Sequence, residues 1–336
     1  MTHMKHIIYW TTFAILFMTG CSKPSPAPAP EQIDGYIFFS HDVETKAPMI
    51  NDKAALAGQT FGVVGFKYSN DNATSWATVK ATATPNVFAT SPQAVTCDEN
   101  GYGSYAPLQG WSSSKKYTFF AYYPSSLPLV NEDGSTPYTG GLPAIRYELN
   151  DDSLRESAMA DVMVASPHVD LYQGSNVALS FNHCLSALGV KVNNLSEADV
   201  TIESVTWLIS GIKYKDAVIK LDGTPLVPGT AFASEMSSIA FVDSFTVPTM
   251  AVDKNYPEAV ILIPQNDNLT LTLNVEYTRE ATGQEGEINS STLTTQLKTG
   301  KMHFVHLIFT DTKVEIKEDI SEGKWANTHD VPSTFN

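Results

Sequence analysis

The chain has 336 residues, 43% apolar and 17% charged, which is enough for two domains of ordinary size, each around a core of its own. Its 36 acidic residues against 21 basic ones give a net charge of −15, which argues against nucleic acid or any other polyanion as a partner. The three arginines, Arg146, Arg155 and Arg279, leave little for bidentate phosphate recognition.

The chain opens on Lys5 and an apolar run, Ile7 to Met18, that is too short to cross a bilayer as a helix. Met18-Thr19-Gly20-Cys21 follows, with small residues before a thiol. The arrangement resembles the bacterial lipobox, whose cysteine is alkylated by diacylglycerol before the preceding peptide is removed; Met18 stands where leucine is usual. It predicts a signal peptide over residues 1–20 and a mature chain held to a membrane through Cys21, each buried methylene of the acyl chains contributing about 0.8 kcal/mol. The alternative is an ordinary secretory signal followed by a chance cysteine. Ser22 to Pro30 alternates proline with small residues and favours extended polyproline geometry, so residues 21–33 read as a tether. Beyond Cys21 the cysteines are Cys97 and Cys184, expected in different domains as buried thiols, with a disulfide as the alternative.

From there on the apolar period is that of a strand. Leu269, Leu271, Leu273, Val275 and Tyr277 alternate with Thr270, Thr272, Asn274, Glu276 and Thr278, one face for a core and one for water. Further strands are predicted at Tyr36 to Ser40, Phe61 to Tyr68, Tyr117 to Tyr123, Ala144 to Asn150, Asp161 to Ala165, Ala217 to Leu221, Ala259 to Ile263, Met302 to Phe309 and Lys313 to Lys317. Asn100-Gly101, Asp133-Gly134 and Asp222-Gly223 accept positive φ and mark tight turns. Two strands change parity, which requires a bulge or a short turn. Val177, Leu179, Phe181 and His183 give way to Leu188, Val190 and Val192; Val200 and Ile202 give way to Val205, Trp207 and Ile209, with the extra residue near Glu203-Ser204. Short strands and many turns predict an all-β chain of β-sandwiches. The polar link Ser166 to Ser175 places a boundary near residue 172, giving domains over residues 34–172 and 173–336.

Several segments, in order, resemble the fimbrillin family of Bacteroidales bacteria, in its Mfa-like branch: Val43 to Ala47, Phe61 to Phe66, Tyr117 to Pro124, Asp161 to Ala165 and Leu179 to Leu188. The resemblance implies two tandem transthyretin-like Greek-key sandwiches, exported as an outer-membrane lipoprotein to serve as a surface pilus component or adhesin whose partners are other pilus subunits. In family stalk subunits a protease removes the first strand and opens an apolar groove that takes a strand from the next subunit. Here the resemblance puts that strand at Tyr36, Ile37, Phe38, Phe39 and Ser40, with two or three inward side chains worth about 1.5–3 kcal/mol each. The family cuts after arginine, whereas the nearby basic positions here are Lys46, followed by Ala47, and Lys53. An uncut chain would read as a tip, anchor or accessory subunit. Lys313 to Lys317 is either a donated strand or a fixed one.

Other motifs point to no enzyme, metal or cofactor. His303 and His306 lie three apart on a strand and face opposite ways, so they do not share a zinc ion. His183, among apolar neighbours, reads as a hydrogen-bonded core histidine. Gly101 to Tyr105 lacks the spacing of a nucleophile elbow or phosphate loop. Asp98-Glu99-Asn100 and Asn131-Glu132-Asp133 lack that of a calcium loop. Asp152-Ser153-Leu154 resembles the O-glycosylation signal of these bacteria. Tyr102, Tyr105, Trp111, Tyr117, Tyr122 and Tyr123 read first as core and edge packing; were they exposed, they would suit a sugar-stacking surface, making the chain a monomeric lipid-anchored glycan-binding protein.

Overall fold

The computed structural model describes residues 35–43, 56–149, 161–174, 176–224, 230–231, 237–317 and 319–324. Cys21, the tether, Lys46, Ala47, Lys53 and Asp152-Ser153-Leu154 lie outside these residues. Apart from one helical turn, Trp76–Val79, the regular structure is β, as the period-2 patterns predict. The first twelve strands are β1 Phe39–Val43, β2 Thr60–Ser69, β3 Gln93–Cys97, β4 Tyr102–Ser104, β5 Lys115–Tyr123, β6 Leu129–Val130, β7 Ala144–Tyr147, β8 Met163–Ala165, β9 His168–Leu171, β10 Val177–His183, β11 Ser186–Asn194 and β12 Val200–Ser210.

The first half is a sheet in the order β2-β3-β4-β1-β10-β8-β5-β9, and β2 also pairs with β5 from Gly62↔Tyr122 to Ser69↔Lys115. Seven strands therefore close into a ring, a small barrel without free edges among them, and β9 shares the β5 edge that β8 occupies. Closure explains why β2 and β5 are apolar on both faces. Phe61, Val63, Tyr117, Phe119, Ala121 and Tyr123 fill the ring, while Val64, Phe66, Phe120 and Tyr122 on the alternate positions face a second core. Glycines let these layers approach: a Cβ on Gly62 would stand 2.7 Å from the Tyr122 ring, and one on Gly65 2.8 Å from that of Phe88.

The second half is built from two six-stranded sheets. One carries β11 between Ala251–Asn255 and Lys301–Phe309; the other carries β12 between Ser237–Phe241 and Gln265–Arg279. Leu188, Val190 and Val192 from the first join Val205, Trp207 and Ile209 from the second in one core, which continues without a break to Phe120 and Tyr122 of the ring. A three-stranded sheet stitches the halves together: β7 pairs with β6 on one side and with Ala217–Lys220 on the other, and Lys220 bridges to Glu132 at 2.6 Å.

Both parity changes have a structural cause. At Cys184-Leu185 the chain leaves the ring, where β10 lies between β1 and β8, and enters the second half as β11. The second is a bulge at Glu203, since Ile202 opposes Tyr277 and Ser204 opposes Glu276. The turn glycines Gly101, Gly134 and Gly223 all have positive φ. Two sequence expectations shift. The change of sheet falls at residues 184–185, so β10 joins the first half rather than the domain expected to begin at residue 173. The supposed link holds β9, paired to β5 at Tyr117↔Leu171 and Phe119↔His168; Pro167 and Gly174 around so short a strand hide it. Asp170 in β9, at φ 55°, accepts hydrogen bonds from the Tyr68 hydroxyl and the Trp76 amide, each at 2.8 Å, which ties the helical turn to the ring.

Asn194, fully buried at the end of β11, donates to the carbonyls of Ala198, Val247 and Pro248 and accepts from Ser196. Asn194→Leu is expected to strand those carbonyls and lower stability by on the order of 3 kcal/mol, read from the urea midpoint.

Candidate functional site at the N-terminal strand

The strand nearest the N-terminus among the described residues is β1, and it is an inner member of the ring. Alternation sends Ile37, Phe39 and His41 inward, where each is at least 98% buried, and leaves Tyr36 and Phe38 half exposed. On one side β1 runs parallel to β10, from Phe39↔Val177 to Val43↔Phe181. On the other it runs antiparallel to β4, with Phe39 opposite Gly103 and Ser40 opposite Tyr102. The regular strand begins three residues later than predicted. Tyr36 to Phe38 still holds to the body, through Ile37 N–H donating to the Gln109 carbonyl at 2.8 Å and Trp111 N–H to that of Gly35 at 2.8 Å.

Inside the ring Phe39 meets Phe119 edge to face with centroids 5.5 Å apart, and Tyr105 at 5.7 Å. The Tyr105 hydroxyl donates to the Ile37 carbonyl at 2.8 Å. Gly103 makes room, for a Cβ there would stand 2.5 Å from Val95 and 3.5 Å from the Phe39 Cβ. Burying Ile37 and Phe39 contributes about 1.5–3 kcal/mol each, and the aromatic pairing about 1 kcal/mol more. Removing β1 would cut the ring and bare two edges, Tyr102–Ser104 and Val177–His183, over an apolar floor. The sequence reading found β1 and β10 but not their adjacency, nor the role of Gly103; the signal for the latter is a glycine in a strand, which marks a close approach.

At the other end of the chain, Val314–Ile316 lies on the outer edge of Lys301–Phe309, at Leu307↔Ile316 and Phe309↔Val314, with its side chains only partly buried. Ser321–Lys324 pairs with the first part of the same strand.

The remaining candidates serve the fold. Trp111, Tyr117 and Tyr122 are fully buried and Tyr123 nearly so, so most of the aromatic cluster is core; Tyr102 alone of the six is broadly exposed. Cys97 and Cys184 are free and buried, and burial pushes both thiols up to about 12, which leaves them unreactive. His183 pairs through Nδ1 with Asp161 at 2.8 Å, both buried. A cavity of 330 Å³ between the halves reaches His183, Cys184, Pro167, Ile219 and Thr299. Strand alternation sends His183 toward the ring and Cys184 into the shared core. Asp98 accepts from the amides of Asn100 and Tyr102, Asp133 from that of Ser135, and Glu132 from Lys220, so these carboxylates build turns and a bridge.

His303 is buried and its Nε2 accepts from Lys298 N–H, whereas His306 bonds Ser321 from a partly exposed position. Burial holds both imidazoles below the ordinary histidine value, with Glu322 partly opposing at His303.

This ring and sandwich are the fold of bacterial fimbrial and adhesion proteins. A fimbrial protein from Bacteroides vulgatus matches with a TM-score of 0.62 at 19% identity, over 86% of this chain and 99% of its own. A candidate cell adhesion protein from Bacteroides ovatus matches with a TM-score of 0.54 at 15% identity, over 88% and 98%. A comparison with curated proteins found no match. The profile of the fimbrillin-like family matches residues 45–325, and the chain belongs to that family. Membership makes it an adhesive protein of the cell surface.

Two outcomes are expected. Phe39→Ala should cost about 3–5 kcal/mol in chemical denaturation. An unfolded histidine takes up a proton near its ordinary value while native His303 resists, so the stability due to its burial is full above that value and is lost as pH falls below it. Melting temperature should therefore drop from pH 7.5 to 5, and His303→Gln, which keeps an acceptor for Lys298, should flatten the drop; an unchanged slope would contradict the assignment.

Proposed function

We propose that this protein is a fimbrial subunit, exported as a lipoprotein through Cys21, carried to the outer surface on its proline-rich tether, and joined to its neighbours by strand exchange at β1. Its work is structural and adhesive and involves no catalysis or cofactor. The observation that carries the reading is the position of β1. A strand close to the N-terminus stands inside the ring, and every other strand of that ring comes from the continuous stretch 60–183. Cutting the chain after Lys46, three residues beyond the end of β1, would release the strand without severing any other member of the ring.

The strand that replaces β1 would form a main-chain ladder with β4 and β10 and fill the pockets of Ile37 and Phe39 with alternate apolar side chains. The body would then regain a closed ring, and the loss of Phe39 from between Tyr105 and Phe119 would be offset by an equivalent ring or branched side chain. In this reading β1 keeps the subunit soluble and closed during export. Val314–Ile316, on an edge and partly buried, is the segment of this chain best suited to be given to a neighbour.

The test is mass spectrometry of the protein recovered from its native cell surface, with an unheated gel run beside it. A mature chain that starts at Ala47, together with a ladder of oligomers, is the expected result. Lys46→Ala should then leave an acylated Cys21 at the N-terminus and abolish the ladder. An uncut monomer in the unmutated protein would remove the stalk role and leave a tip, anchor or accessory subunit.

A further inference from the structure

Among the described residues, ten large apolar side chains are exposed, and four of them, Tyr36, Phe38, Tyr102 and Leu108, lie together. Tyr36 bridges to Gly110 and Ile37 N–H donates to the Gln109 carbonyl, which brings the Leu108 segment alongside Tyr36 and Phe38. On the same flank of β1, Ser40 opposes Tyr102, which brings the Tyr102 ring diagonal to Phe38. The four are 51%, 49%, 59% and 44% exposed, and they cover the outer face of the strand whose inner face fills the ring. An outer strand position is ordinarily polar, so four large apolar side chains gathered on one face mark it for contact.

Its surroundings define the contact. The outward positions of β3, β4, β1 and β10 carry no lysine or arginine, and Thr96, Ser104, Ser40 and Asn176 present hydroxyl and amide groups around the rings. Asn176 already donates to Ser40 at 2.6 Å. Asp98, opposite Tyr102, adds a carboxylate at the rim. With no lysine or arginine at the outward positions of these strands and a net charge of −15, the face repels anions: sulfated or sialylated chains, nucleic acid and anionic lipid headgroups. The apolar area is a few side chains wide, too small for the core of a stable protein interface. Flat rings set among hydroxyl, amide and carboxylate groups match a partner with apolar C–H faces and a rim of hydroxyls.

We propose that the outer face of β1 and β4 is a binding site for an uncharged glycan, with Phe38 and Tyr102 stacking on pyranose faces and Tyr36 and Leu108 extending the platform. In the uncut ring the site is complete without any strand exchange. If β1 is cut away, Tyr36 and Phe38 leave with it and the site is lost, so ligand binding belongs to the uncut form.

The experiment applies the uncut protein to an array of neutral hexose and N-acetylhexosamine oligosaccharides with their sialylated and sulfated counterparts. Retention on neutral members is expected, with at least a tenfold weaker signal for Phe38→Ser and for Tyr102→Ser. Tyr102 and Phe38 are half exposed or more, so both variants should stay folded, with melting temperature lowered by no more than about 4 °C. No retention on any neutral glycan, or variants that bind like the parent, would overturn the proposal. Sedimentation of the same proteins covers the remaining occupant: a dimer that both variants dissolve would assign the face to a second copy and overturn the glycan site.

Discussion

The first half of the molecule depends on two ladders that share one strand. Parallel pairing with β10 and antiparallel pairing with β4 make β1 the closing member of the ring, and closure is what gives β2 and β5 two buried faces. Without it the inner surface of Phe61, Phe119 and Phe181 would lie in an open sheet with unpaired edges. With it, the backbone groups of the ring find partners in neighbouring strands and the apolar side chains need no further cover. The constraint also accounts for the glycines. Gly65 and Gly103 stand inside the ring, where a barrel this narrow brings backbone against an aromatic or branched side chain, and Gly62 makes the same room on the outer face beside the Tyr122 ring.

The second consequence of closure is that the outer side of β2 and β5 becomes a floor for the rest of the chain. Val64, Phe66, Phe120 and Tyr122 pass directly into the core that holds Trp207 and Leu271. The short sheet of β6, β7 and Ala217–Lys220 lies across this junction, so covalent linkage, backbone hydrogen bonds and apolar packing all join the halves. A small ring on its own would leave this floor exposed, and the sandwich serves as its cover.

Much of the architecture can be read from residues in order, because half-buried strands leave a period-2 trace. Leu269 to Tyr277 and the parity slip at Glu203 belong to this kind, since one face meets a core and the other meets water. What the pattern hides is neighbourhood. Nothing in Val177 to His183 says that it runs beside β1 rather than with the strands that follow it, because a strand carries the same alternation whichever sheet receives it. Short strands such as β4 and β9 have too few residues to show a period. The aromatic run Tyr117 to Tyr123 is informative in the opposite sense: seven residues interrupted only by Thr118 mean burial on both faces, and hence a closed or covered sheet. Tyr36-Ile37-Phe38-Phe39 is apolar throughout, yet its even positions are open to solvent, because nothing in the fold covers the outer face of this strand among the described residues.

The mixed seat of β1 has one more implication. Because one neighbour runs with it and the other against it, the slot is not symmetric under reversal, and a strand laid in backwards would meet both ladders with the wrong hydrogen-bond spacing. Any chain of such molecules linked through this slot would have a head and a tail. Its two ends would differ chemically, two finished lengths could not fuse head to head, and every copy would present its faces in the same sense from the cell outward.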